Sequence, residues 1–184
     1  NFAIKRLAEI FGVLISLTGV MLFLALITYS PNDPNFIFPE NTEIENLMGF
    51  QGSFISDLFF QSVGLIAYLI PFTLIITGIN ILRSKDFFLF IENNFFTILY
   101  LTLGTLFLGY YYSDTYYLYI NGNSGFVGAY LNQTFLKSII SINDDIFFYI
   151  LILITIIFFL ININFNPKKF FEFIKKVLNF FNKK

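Results

Sequence analysis

Few side chains in this sequence belong to types that do chemistry, and their spacing does not assemble a reactive site. Asp144 and Asp145 could be an acid and a base, but they are adjacent at the start of an apolar block, where carboxylates suit the positive end of a helix anyway. The run Asn121-Gly122-Asn123-Ser124-Gly125-Phe126-Val127-Gly128 has glycines but lacks the lysine of a phosphate-cradling loop, so nucleotide binding by that route is excluded. Histidine and cysteine are both absent, which removes disulfides, thiolate and imidazole metal ligands, and the commonest general base. No catalytic, cofactor-binding or metal-ligating residue is therefore assigned. Gln61, Thr77, Asn80, Thr102, Thr105 and Thr155 are the notable polar groups in or near apolar blocks, and they are expected to bond their own backbone or a neighbouring helix. With no ionisable group near mid-span, the residues that a transporter or proton channel normally needs are missing.

The elements that position these groups are set by composition. The chain is 57% hydrophobic and 21% aromatic with only 12% charged residues, and the apolar residues come in long blocks. That excludes an ordinary soluble domain. Four blocks reach the roughly 20 residues that a spanning helix needs, at about residues 8–29, 58–82, 95–112 and 146–163. The first block is long and no small-residue cleavage site follows it, so it reads as a span rather than a cleaved signal. Most of the 28 phenylalanines read as lipid-facing or core filler.

Every basic residue except Lys137 falls before the first span, in the link between the second and third, or after the fourth. The positive-inside rule then makes both termini cytoplasmic and turns residues 30–57 and 113–145 outward. The expected fold is an all-α membrane protein with four transmembrane helices. A membrane domain over residues 1–165 is followed by a cytoplasmic amphipathic helix, or the start of a linker, over 166–184.

The first outward loop opens on Thr28-Tyr29-Ser30-Pro31-Asn32-Asp33-Pro34. The two prolines push Ser30 and Asp33 out of helical conformation, and Asn32 and Asp33 suit a turn, so a rigid corner is expected with Asp33 shaping it locally. Tyr29 sits where an amphipathic ring rests at a membrane surface. Farther on, Ser56 or Asp57 is expected to cap the second span. In the second loop, residues 129–142 are apolar but too short to cross, which suggests an interfacial or re-entrant helix, and Asn143 is placed to cap the fourth span.

Gly12, Ser16 and Gly19 share one face of the first span, while Gly64, Pro71 and Gly78 recur every seven residues in the second. These faces are expected to pack inward, with Pro71 bending its helix. After Asn166-Pro167, the apolar face of Phe170, Phe173, Ile174, Val177, Leu178 and Phe181 opposes Lys175, Lys176 and Lys183. With Lys168 and Lys169, these lysines would meet anionic head groups along the inner membrane surface, making membrane lipid the first expected partner.

The corner motif resembles the T-Y-S-P-x-D-P signature of the N-terminal four-helix membrane domain of the FtsK/SpoIIIE family of DNA translocases. Asn46, Gly49, Gly52 and Asp57 resemble its N-x-x-G-x-x-G-A-x-x-A-D run. Gly64, Ala67, Tyr68 and Pro71 resemble its G-x-x-A-Y-x-x-P, and Gly125 with Gly128 resembles part of G-G-x-x-G. Ser53 and Ser56 stand where alanines are usual, Ser124 replaces a glycine, and Asn35-Phe36 replaces a common Ser-Trp. The resemblance implies a membrane anchor and scaffold in the bacterial inner membrane, at the division septum. It implies divisome membrane proteins as partners and self-association driven by a hexameric motor. DNA, ATP and magnesium would be engaged only by that motor, outside these residues, and the chain would be one domain of something longer. A tetraspan scaffold or sensor of other descent, and after it a small-solute transporter or channel, are the competing classes.

Overall fold

The computed structural model describes residues 2–34, 43–113 and 121–168, together with Phe171, Glu172 and Lys175. Seven α-helices are described: α1 (Phe2–Ile27), α2 (Gly49–Val63), α3 (Leu69–Ser84), α4 (Phe88–Tyr111), α5 (Gly125–Leu131), α6 (Phe135–Ile140) and α7 (Asp144–Asn162). Among the described residues there is no strand. Four helical stretches are long and apolar enough to cross a membrane, the second being the whole run from Gly49 to Ser84.

Two antiparallel pairs form the bundle, α1 along α3 and α4 along α7. The first pair is joined by missing side chains. A Cβ on Gly12 would come within 2.7 Å of the Gly78 carbonyl, one on Gly19 within 2.9 Å of the Ile75 nitrogen, and one on Gly78 would overlap Ser16 and the Gly12 carbonyl. In lipid, such close backbone approach is what holds helices together. Ala8, Ile15 and Ile81 form a buried cluster at one end of this pair. Leu22, Leu26, Phe60, Ala67 and Ile70 form another at the opposite end.

The second pair uses hydrogen bonds. The Asn162 amide donates to the Asn93 carbonyl at 2.5 Å and to Thr97 Oγ1 at 2.9 Å. Asn93 in turn donates to Thr77 Oγ1 on α3 at 2.7 Å. Higher in the bundle, Thr73 and Tyr100 share a buried hydrogen bond of 3.0 Å. At the far end, Tyr110 donates to the Asp144 carboxylate at 2.8 Å and Tyr111 to its carbonyl at 2.7 Å, tying the end of α4 to the start of α7.

Several boundaries differ from expectation for physical reasons. The second helical run begins at Gly49, so Ser56 and Asp57 are not caps but buried residues in the middle of α2. The break expected at Pro71 lies just before it, as a 3₁₀ turn over Gly64–Tyr68. Gly64 has φ +66°, outside helical space, and Pro71 falls in the first turn of α3, where its missing N–H removes no helical bond. The single helix expected over 129–142 is two short helices, α5 and α6, separated at Asn132, Gln133 and Thr134; the Thr134 hydroxyl caps α6 by accepting from Leu136 N–H. Asn143 caps α7 through Ile146 N–H. Thr102, Thr105 and Thr155 each bond a carbonyl of their own helix, as expected.

After α7, Pro167, Lys168, Phe171, Glu172 and Lys175 have helical backbone, and Lys168 and Lys175 are exposed. Lys169, Lys176, Lys183 and most of the expected amphipathic face lie outside the described residues.

Candidate functional site

Two interlocked knots hold the loop-bearing end of the bundle, and most residues singled out in the sequence fall in one or the other. The first begins where α1 stops. Pro31 cannot continue the helix, and the chain turns through Ser30 to Asp33, closed by Asp33 N–H on the Ser30 carbonyl at 3.2 Å. Asp33 does more than shape that turn. Its carboxylate, 3% exposed, accepts Glu45 N–H at 2.8 Å and Asn46 N–H at 3.0 Å, one on each oxygen. The expectation of a purely local role is therefore corrected: Asp33 clasps the two ends of the first loop.

Asn46 joins the helices at that clasp. Its amide donates to the carbonyls of Ala25 at 2.9 Å and Thr28 at 3.2 Å, groups that the end of a helix leaves unpaired. Its side-chain oxygen accepts Met48 N–H at 3.0 Å and so leads into α2. Thr28 Oγ1 accepts Leu47 N–H at 3.2 Å. Gly49, which opens α2, donates its N–H to the Asn46 carbonyl at 2.8 Å. Gly52 must be small because a Cβ there would overlap the Asn46 side chain. Ser53 donates to the Pro34 carbonyl at 2.6 Å, a bond that the alanine usual at this position could not make. Tyr29 packs edge-on against Phe60 with ring centres 4.8 Å apart, and its hydroxyl donates to Asp57 at 3.3 Å.

The second knot forms where the Gly64 break meets the second loop. Leu65 N–H donates to the Asn123 carbonyl at 2.9 Å. Gly125, with φ +64°, comes so close that a Cβ there would lie 2.5 Å from Gly64 N, and a Cβ on Gly64 would overlap Asn123. Gly128 packs against the Thr105 carbonyl of α4, and Asn132 donates to the Gly109 carbonyl at 3.0 Å. Asn121 reaches both the carbonyl and the side chain of Gln61 at 3.2 Å. Ala67 is fully buried, Tyr68 stacks edge-on against Phe60 at 5.1 Å, and Pro71 is buried beside them.

The remaining sequence-selected residues lie elsewhere. Gly12, Ser16, Gly19 and Gly78 form the α1 and α3 contact, and Ser16 also donates to the Ile75 carbonyl at 3.3 Å. Sequence reasoning missed Thr28 as an acceptor, the Ser53 bond, and the whole Asn93, Thr97 and Asn162 cluster. Asn93 and Asn162 lie at the start of one span and the end of another, on the same side of the bundle, and that pairing was the available signal.

The bonds are structural ones. Among the described residues, no group of His, Cys, Asp or Glu could hold a metal ion. The carboxylates of Asp33 and Asp57 are turned inward on backbone and side-chain donors. Fold and site together define a multi-pass helical membrane domain whose described loop ends are pinned back onto its helices.

The family follows from sequence comparison. Residues 4–174 match the family described as the 4TM region of DNA translocase FtsK/SpoIIIE, and the chain belongs to that family. It is 36% identical over 83 residues to the DNA translocase FtsK of Vibrio vulnificus, a match covering 45% of this chain and 8% of the relative. A similar match to the DNA translocase FtsK of Caulobacter vibrioides is 32% identical over 75 residues, covering 41% of this chain and 9% of the relative. An uncharacterized protein of Haemophilus influenzae is 36% identical over 83 residues, 44% of this chain and 77% of that protein. The chain thus spans less than a tenth of the first two relatives, and the region it matches is the family's membrane domain rather than its motor. No solved structure matches.

Proposed function

We propose that this domain anchors a septal DNA translocase in the bacterial cytoplasmic membrane and presents its loop-bearing face, outward, to membrane proteins of the division machinery. The observation that carries this reading is the way the described ends of both loops are tied down. A membrane anchor alone needs only apolar helices, whereas here Asp33, Asn46 and Ser53 fix the two ends of one loop and Gly64, Asn123 and Gly125 fix the described end of the other. Loop ends held to a rigid frame suit recognition, because those residues lose little ordering entropy on binding. The termini and the link between α3 and α4 lie on the cytoplasmic side, consistent with Lys5, Arg6, Arg83, Lys85 and the lysines after α7. A motor following this domain would engage DNA, ATP and magnesium, and its hexamer would gather copies of the anchor.

Two experiments test this. The chain has no cysteine, so single cysteines report topology cleanly. Lys137→Cys on exposed α6 should react with an impermeant maleimide in spheroplasts, and Asn166→Cys only after permeabilisation; the reverse pattern would invert the orientation. A fluorescent fusion of the chain should gather at the septum, and even distribution around the membrane would remove the divisome reading while leaving the anchor.

A further inference from the structure

The helical run from Gly49 to Ser84 contains 36 residues, about 54 Å if it were one straight α-helix, far more than the roughly 30 Å of a hydrocarbon core. Something in it does not cross. The Glu9 carboxylate meets Lys85 Nζ at 2.6 Å, which puts these residues of α1 and the end of α3 at one level. From that level, α1 rises about 30 Å to Tyr29. Over the same height, the 16 residues of α3 contribute about 24 Å and the five-residue 3₁₀ turn about 10 Å. Both chains reach the far side together, at Tyr29 and Gly64, before α2 is counted.

The contacts of α2 agree with this arithmetic. Asn46, just ahead of α2, bonds Ala25 and Thr28, while Phe60 near its other end packs with Leu22, Leu26 and Tyr29. A helix running alongside α1 would carry those two points to levels about 20 Å apart. Instead both rest on the last two turns of α1, so α2 crosses its end. The faces of α2 are sorted accordingly. Gly52, Ser53, Ser56 and Asp57 are buried against the protein, while the outer arc holds Phe50, Ile55 and Leu58, 51%, 40% and 55% exposed, with the uncharged Gln51 exposed among them. Beside it, α5 exposes Phe126 and Tyr130, so the apolar rim continues from one element to the next. Lipid on the loop-bearing side would cover the adjoining rims of α2 and α5 alike.

We propose that α2 is an interfacial helix lying along the lipid boundary on the loop-bearing side, with Phe50, Ile55 and Leu58 in the acyl region, and that the second membrane crossing is Gly64–Ser84 alone. Gly64 is the elbow between them. Since its exposed arc carries no charge, α2 does not need anionic lipid. The inference rests on the chain crossing a membrane, and not on its orientation or on the translocase reading.

The chain contains no tryptophan, so one introduced indole is a single depth probe. Phe50→Trp, Leu58→Trp and Phe72→Trp would be made separately and reconstituted in phosphatidylcholine vesicles brominated at defined acyl positions. The same shallow bromine should quench the indoles at 50 and 58 most, while the deepest should quench the one at 72 most. In a continuous spanning helix, position 58 would lie about 12 Å deeper than position 50, and that gradient would overturn the proposal. Quenching at 72 with none at 50 or 58 from any bromine would also overturn it, because the face would then be covered by a second copy or another protein. Loss of quenching at 72 would overturn the membrane crossing itself.

Discussion

The two helix pairs of this bundle solve one problem in opposite ways. Lipid tails are as apolar as leucine, so helices in a membrane need another reason to associate. The α1 and α3 pair removes side chains at Gly12, Gly19 and Gly78 until backbones touch. The α4 and α7 pair keeps its bulk and bonds through Asn93, Thr97 and Asn162. Close packing fails abruptly when a volume is added, because two backbones must separate along their length. Hydrogen bonds in lipid fail gently, because an amide released from one partner finds another.

Substitution can break that contrast, beginning with the largest effect. Gly78→Leu places a side chain where even a Cβ overlaps Ser16, and it should destabilise by about 3 kcal/mol or more in detergent-titration unfolding. A loss similar to that of an amide substitution would refute the packing account. Asp33→Ala leaves Glu45 N–H and Asn46 N–H without their acceptor and should cost about 2–3 kcal/mol by the same assay. Asp33→Asn should recover only part, because its NH₂ would confront a backbone N–H; full recovery would mean that the second bond is dispensable. Asn162→Leu should cost no more than about 1 kcal/mol, the usual scale of hydrogen bonds between membrane helices. Glu9→Gln, which weakens solvent-accessible pairs with exposed Arg6 and half-buried Lys85, should shift the unfolding curve by less than about 1 kcal/mol.

The sequence made the spans legible through their apolar blocks, and the corner through its prolines. Those signals are local, which is why they survive without a structure. The start of α2 was not legible. Gly49, Gly52 and Ser53 resemble loop residues, yet Gly49 opens the helix at φ +67°, Gly52 is small because a Cβ would overlap Asn46, and Ser53 reaches back to the Pro34 carbonyl. Asp57 looked like a cap because its acidity suggested a helix end, whereas it lies mid-way along α2 and accepts from Tyr29, beyond the end of α1, and from Gln61, one turn on. Asn93 and Asn162 were passed over because single amides near the ends of apolar blocks look like solvated margins. Only the antiparallel pairing of α4 and α7 brings them together.

Gly64 and Gly125 lie 61 positions apart, yet each is small because of the other's surroundings. A side chain at either would push apart the same two strands of backbone. Once one substitution has opened that gap, the second meets less resistance, so the steric parts of their effects should not add. The strain of a side chain at positive φ is separate at each site and should add. The steric part of the two positions' effects is thus shared, while each keeps its own conformational reason to be glycine. A side chain at one glycine therefore relaxes only the steric demand on the other, and the elbow of the second span and the turn of the second loop move as one joint.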